Sequence, residues 1–236
     1  SASDQLDILR QAITDVDAGS SLPDNTILYH VSLCKMSLLK AHNLRSGDLP
    51  HGISGAKNIE VFVRIYQQYE TLLQINNAID FDDCISKVCW LFEEHKDLQA
   101  TLRQRYRYIL VDEFQDTNGS QFALLKHLVA PEGNICVVGD DDQSIYSWRG
   151  AMYETFQKFE RYFQNTKLIK LEQNYRCTTA VLDVANSLIQ NNPKRQDKTL
   201  WSKKQSDFPV ELVSHETNIA ESHWIAQKCL SCLARQ

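Results

Sequence analysis

Residues 108–118, Tyr-Ile-Leu-Val-Asp-Glu-Phe-Gln-Asp-Thr-Asn, constrain this chain more than any other stretch. Tyr108 to Val111 are mostly apolar and read as a short buried strand. Two carboxylates, Asp112 and Glu113, follow where that strand ends. In an open α/β sheet, ligands bind outside the carboxyl ends of the strands. An aspartate there can hold Mg²⁺ beside a nucleotide, and a glutamate within reach can take a proton from an attacking water. On its own the Asp-Glu pair describes a solvent-facing acidic turn equally well.

The next segment shifts that balance. A helix-like run, Ser120 to Val129, leads to a second apolar strand, Asn134 to Val138. That strand enters Gly139-Asp-Asp-Asp-Gln-Ser-Ile-Tyr-Ser-Trp-Arg-Gly150. Two strands that each end in an acid-rich loop, with one helix between them, form the repeating unit of a parallel sheet. Parallel strands share a direction, so both loops are expected at one edge of the sheet.

Around this centre the chain divides by pattern. The first third reads as all-helical: Asp4 to Val16, Thr26 to Ala41 and Ile59 to Ala78, with loops at 18–25 and 43–58. Asp80-Phe-Asp-Asp83 opens a helix running to His95; its acids suit the positive end of the helix dipole, and Phe81 is expected in the core. Asp97 to Tyr106 is a further helix, and Arg103, Arg105 and Arg107 read as a solvated face. Asp116 is expected to cap the helix that begins near Gly119. Met152 to Phe163 is helical, with Phe156, Phe159 and Phe163 as a core stripe. Lys167 to Leu171 and Pro209 to Ser214 read as third and fourth strands, and Thr178 to Asn191 and Asn218 to Leu233 as helices. On the terminal helix, Ile219, Trp224, Ile225 and Leu230 form the apolar side.

Composition bounds the function. With 43% apolar residues among 236, the chain can bury a core, and a net charge of −5 argues against a general nucleic-acid-coating protein. Local charge can still build a nucleic-acid groove. No apolar run reaches the roughly 18 residues of a membrane span. Seven cysteines without a framework spacing point to reduced thiols, and Cys229-x-x-Cys232 lacks the second Cys/His pair of a zinc site.

Three blocks, Asp112 to Asn118, Val137 to Ala151 and Leu171-Glu-Gln-Asn-Tyr-Arg176, occur in an order and spacing that resemble the Rep/UvrD/PcrA family of superfamily 1 DNA helicases. The wording lies nearest the Rep branch, and Asp80-Phe-Asp-Asp83 fits as well. The resemblance implies a partial RecA-like α/β motor domain with a parallel sheet. Residues 1–79 would be a helical insert subdomain (1B-like), 80–165 part of the first motor domain (1A-like), and 166–236 the start of a second RecA-like domain (2A-like). It implies an ATP-dependent 3′–5′ helicase and translocase acting on single-stranded DNA and duplex junctions, in repair or replication, in the bacterial cytoplasm at the nucleoid.

By resemblance, Asp112 holds Mg²⁺ and Glu113 activates water. Gln143 senses the γ-phosphate of ATP, Arg176 acts as an arginine finger, and Tyr175 stacks on adenine. Trp148 and Tyr146 stack on unpaired bases, supported by Arg149; aromatic rings do this whatever the base, for about 1–3 kcal/mol each. No glycine is followed by lysine, so the family's phosphate-binding loop falls outside this sequence. The chain alone is therefore expected to be an inactive internal fragment, prone to self-association through an unpaired sheet edge. The rival expectation is a non-catalytic DNA- or protein-binding module with the same fold.

Overall fold

The computed structural model describes residues 2–16, 22–44, 56–146, 155–192, 195–206 and 208–234, which fall into two units, Ser1–Lys167 and Leu168–Gln236. In the first unit, helices α1 (Ala2–Asp15), α2 (Asp24–Met36) and α3 (Ala56–Ile75) share one core. Ile27, Val31 and Cys34 on α2, and Phe62, Ile65, Tyr66, Tyr69 and Leu73 on α3, repeat at three- and four-residue intervals, so each helix turns one apolar stripe inward. Each fully buried large side chain contributes about 1.5–3 kcal/mol.

Inside this apolar cluster lies a charge that periodicity does not reveal. Lys35 is wholly buried, and its Nζ sits 2.6 Å from Glu70 Oε1, 2.6 Å from Asp80 Oδ2 and 2.8 Å from Asp83 Oδ1. Tyr69 donates to Asp80 at 3.0 Å, and Lys87 lies 3.1 Å from Asp83. The ammonium occupies the position a metal ion would take among three carboxylates. Burial pulls its pKa down, but Asp80, Glu70 and Asp83 together outweigh burial and the net shift is upward. The Glu70 pKa is raised: burial, with Asp83, pushes it up against the pull of Lys35 and Lys87.

These groups predict a one-sided pH response. Burial pushes the Cys34 thiol from 9.0 up to about 12 and raises the Tyr66 and Tyr69 hydroxyls too. Together with Lys35, all four have folded pKa values above their ordinary ones. Their stabilisation is complete below the ordinary values and is lost as pH rises past them. The Cys34 shift alone corresponds to roughly 4 kcal/mol. The thermal midpoint is expected to hold between about pH 7 and 8 and to fall steeply between pH 9 and 12. A midpoint flat to about pH 11, followed by circular dichroism, would rule out this buried arrangement.

The rest of the first unit carries the sheet. Helices α4 (Asp83–Glu94) and α5 (Lys96–Arg105) precede strand β1 (Tyr108–Val111); α6 (Gly119–Leu128) links it to β2 (Asn134–Val137), and α7 (Thr155–Tyr162) follows. β1 and β2 pair in parallel, from Tyr108 opposite Asn134 to Val111 opposite Val137. One sheet face packs Ile109, Val111, Ile135 and Val137 onto a second core of Phe114, Phe122, Val129, Phe159 and Phe163. The Phe159 and Phe163 stripe is thus core, as its spacing predicts. The opposite face is uncovered: Tyr108 is 73% and Leu110 79% exposed. The expected fully buried strand is therefore half-exposed, because α6 and α7 cover one side only.

Three further expectations change. Phe81 is 76% exposed, because Asp80 and Asp83 on either side of it turn inward to Lys35 and direct the ring outward. Asp116 does not cap α6. Asn118 does, accepting from Gln121 N at 3.0 Å while Gln121 Oε1 accepts from Asn118 N at 2.9 Å, a reciprocal cap. Arg103 is no solvated residue. It donates to His127 O at 2.7 Å and Lys126 O at 2.9 Å, satisfying carbonyls at the end of α6.

The second unit contains α8 (Thr179–Ile189) and α9 (Asn218–Leu233). The expected strands at Lys167–Leu171 and Pro209–Ser214 do not form; among the described residues the extended chain makes a single bridge, Gln173 to Trp201. A strand exists only where a neighbour takes its backbone hydrogen bonds, and none lies beside these segments among the described residues. Leu168, Ile169 and Leu171 are correspondingly exposed, as are Ile219, Ile225 and Leu230 of α9. All seven cysteines are free, with Cys229 and Cys232 on the surface.

Candidate functional site at the strand tips

The parallel register brings the ends of β1 and β2 side by side. Val138 N donates to Val111 O at 2.8 Å and Phe114 N donates to Val138 O at 3.0 Å, so pairing continues past both strands. The chain then turns sharply. Glu113 adopts φ 51° and ψ 41°, in the left-handed region that non-glycine residues seldom occupy. Such backbone costs on the order of 1–2 kcal/mol. Phe114 offsets it: its ring is fully buried, with centroids of Phe122, Phe156 and Phe159 at 6.3, 5.3 and 5.4 Å. Burying a phenylalanine contributes about 1.5–3 kcal/mol, enough to hold the turn. The strain aims the Glu113 carboxylate outward while the next side chain plunges inward.

A chain of hydrogen bonds joins the two tips. Asp112 Oδ1 accepts from Glu113 N at 2.9 Å. Glu113 Oε2 accepts from Gln115 Nε2 at 2.7 Å, and Gln115 Oε1 accepts from Asp140 N at 3.0 Å. Asp140 Oδ2 in turn accepts from Gln143 Nε2 at 2.7 Å, and Asp140 Oδ1 accepts from Asp142 N at 3.0 Å. Three of the sequence-predicted positions, Asp112, Glu113 and Gln143, therefore lie on one edge and are linked through Gln115 and Asp140. Gly139 makes this approach possible, because a Cβ there would lie 2.4 Å from Gln115 Oε1 and 3.0 Å from Phe114 N.

Gln115, 3% exposed, is the residue that sequence reasoning passed over. Its signal was available: an amide two residues beyond Glu113, with the anchoring Phe114 between them. The carboxylates of Asp112 and Glu113 are exposed, and Asp140, Asp141 and Asp142 bring ligand oxygens within 4.8 Å of one another. Carboxylate oxygens are hard donors of the kind a Mg²⁺ ion takes, and Asp112 stands at the strand end outside the Asp140–Asp142 group.

The other candidates belong to the loop after β2 and to the second unit. Tyr146, 37% exposed, closes the described part of the loop after β2; Trp148 and Arg149 lie outside the described residues. In the second unit, Asn174 Oδ1 accepts from Arg176 N at 2.9 Å and Cys177 N at 2.7 Å, a side-chain-closed turn. That turn presents Arg176 and Tyr175 to solvent, the latter 74% exposed with its hydroxyl donating to Gln173 at 3.0 Å.

Parallel strands joined by a helix, with carboxylates and amides gathered at their carboxyl ends, are the layout of a nucleotide-handling α/β domain. The comparisons make the family specific. Residues 1–164 match the UvrD/REP helicase N-terminal domain, and residues 169–236 match the UvrD-like helicase C-terminal domain. The chain belongs to the UvrD/REP helicase family, whose motor domains are RecA-like α/β folds. It is 41% identical over 162 residues to a probable DNA helicase II homolog of Rickettsia felis, covering 69% of this chain and 25% of the relative. It is 37% identical over 176 residues to the ATP-dependent DNA helicase PcrA of Bacillus subtilis, covering 75% of this chain and 24% of that protein. It is 41% identical over 167 residues to DNA helicase II of Haemophilus influenzae, covering 71% of this chain and 23% of the relative. The chain thus spans about a quarter of the length of these curated relatives. No helix among the described residues is long and apolar enough to cross a membrane.

Proposed function

We propose that this chain is a segment of an ATP-dependent 3′–5′ DNA helicase, and that the β1 and β2 tips form part of its ATP-hydrolysing centre. The observation that carries the reading is the hydrogen-bonded series Glu113–Gln115–Asp140–Gln143, which ties a candidate base to a candidate phosphate sensor across two parallel strands. In this reading residues 1–79 form a helical insert, 80–165 belong to the first motor domain, and 166–236 begin the second.

Asp112 would hold Mg²⁺, which when bound neutralises charge on the β- and γ-phosphates. Glu113 would orient a water and accept its proton. Gln143 would report the γ-phosphate through an amide that both donates and accepts. Arg176 would place a permanent positive charge on the transferring phosphate, matching its oxygens as a fork. Tyr175, exposed on its turn, would stack on the adenine. Tyr146 and Trp148 would stack on bases of single-stranded DNA with Arg149 on the backbone, so that one short loop after β2 feels both nucleotide and DNA. The phosphate-binding loop would come from sequence outside this chain, which alone would not turn over ATP.

The test is ATP turnover by the full-length protein with and without single-stranded DNA. Turnover stimulated by DNA is expected. DNA binding with no turnover under either condition would overturn the helicase reading in favour of a non-catalytic binding module.

A further inference from the structure

We propose that Gln115 is a positioning residue that holds Glu113 in register with the loop after β2. The inference rests on the helicase reading above and adds a role to a side chain that touches neither nucleotide nor metal in it.

The geometry leaves Gln115 one orientation. Asp140 N is a donor, so the Gln115 atom facing it at 3.0 Å is the carbonyl oxygen. Its amide nitrogen then faces Glu113 Oε2 at 2.7 Å and requires an acceptor there. Glu113 therefore meets Gln115 with an oxygen that accepts a hydrogen bond. The contact also fixes one oxygen of the exposed Glu113 carboxylate. Since Asp140 also accepts from Gln143 at 2.7 Å, a displacement of Gln143 can reach Glu113 through Asp140 and Gln115.

Three features show that the site is built around this amide. Gln115 is buried beside Phe114, and its amide nitrogen and oxygen are both hydrogen-bonded within the site. Residue 139 has no Cβ, and any Cβ there would lie 2.4 Å from Gln115 Oε1. The left-handed turn at Glu113 (φ 51°) brings a side chain two residues later back beneath the carboxylate.

The experiment is a double-mutant cycle on ATP turnover by the full-length protein, with Gln115→Met, Glu113→Gln and the pair. Methionine matches the volume of glutamine and removes both hydrogen bonds. Gln115→Met is expected to lower kcat about 10- to 100-fold, the usual consequence of a misplaced catalytic group, with KM for ATP within about threefold. In the Glu113→Gln background the same substitution should lower the residual rate by less than about twofold, because no base remains to be positioned. Gln115→Glu keeps the acceptor for Asp140 N, keeps the size and loses the donor to Glu113. It should reproduce the kcat loss even if the methionine variant fails to fold. Equal fold-losses from Gln115→Met in both backgrounds, or an unchanged kcat in Gln115→Glu, would overturn the positioning role. Full turnover in Glu113→Gln alone would instead remove Glu113 from the chemistry, whereas no DNA-stimulated turnover in the unsubstituted protein would sink the helicase reading itself.

Discussion

Lys35→Met is expected to destabilise the first unit by about 3–5 kcal/mol, the range seen when one partner of a buried ion pair is removed. The substitution preserves length and apolar contact but leaves Glu70, Asp80 and Asp83 facing one another, with Lys87 at 3.1 Å from Asp83 the remaining ammonium. Against a total stability of about 5–15 kcal/mol for a domain, that loss is close to decisive. Lys35→Arg should not rescue it, since a planar fork cannot replace a point charge with three carboxylates around it. Acid should. Burial already raises the Glu70 pKa, and removing Lys35 takes away a group that lowers it. Groups with raised folded pKa values stabilise as pH falls towards their ordinary range, so the penalty should shrink between about pH 7 and 5. Urea melts at the two pH values measure it. An equal penalty at both would mean that packing, and not uncompensated charge, is what Lys35 supplies.

Glu113→Gln in the full-length protein is expected to lower the ATP turnover number by about 10²- to 10⁴-fold, the usual contribution of a positioned general base. The substitution is informative because so little else changes. Glutamine has the same length, and its carbonyl oxygen can accept the hydrogen bond that Gln115 Nε2 now donates at 2.7 Å. The turn at residue 113 and the link to Asp140 should therefore persist, and nucleotide affinity should change by less than about threefold. Only the ability to take a proton is lost. Steady-state turnover together with equilibrium nucleotide titration separates the two. A loss confined to affinity would assign Glu113 to binding, and a turnover number within a few-fold of the parent would remove it from the chemistry.

Local pattern carried much of the architecture. Apolar spacing located α1, α3, α4, α6 and α8 to within a few residues and α9 at its observed limits, because a helix is decided by neighbours one turn apart. The strand–helix–strand unit was legible for the same reason, and with it the side-by-side placement of Asp112, Glu113 and the Asp140–Gln143 loop. Parallel strands separated by one helix leave their carboxyl ends at one edge.

The pairings that complete the molecule depend on residues far apart in sequence. Lys35 reads as a surface lysine near the end of a helix; it becomes a buried cation only because Asp80 and Asp83, 45 and 48 residues on, arrive beside it. Their inward turn is also what expels Phe81, the one residue of that run that hydropathy alone would bury. Gln115 looks like a loop amide until Asp140 comes within 3.0 Å of it. The extended segments at 167–171 and 209–214 have strand-like composition and no ladder. Composition can favour an extended backbone, but a strand needs a second chain segment to accept and donate its hydrogen bonds. Whether that partner stands alongside is decided by the tertiary fold, as it is for every buried charge that needs a counter-charge from elsewhere in the chain.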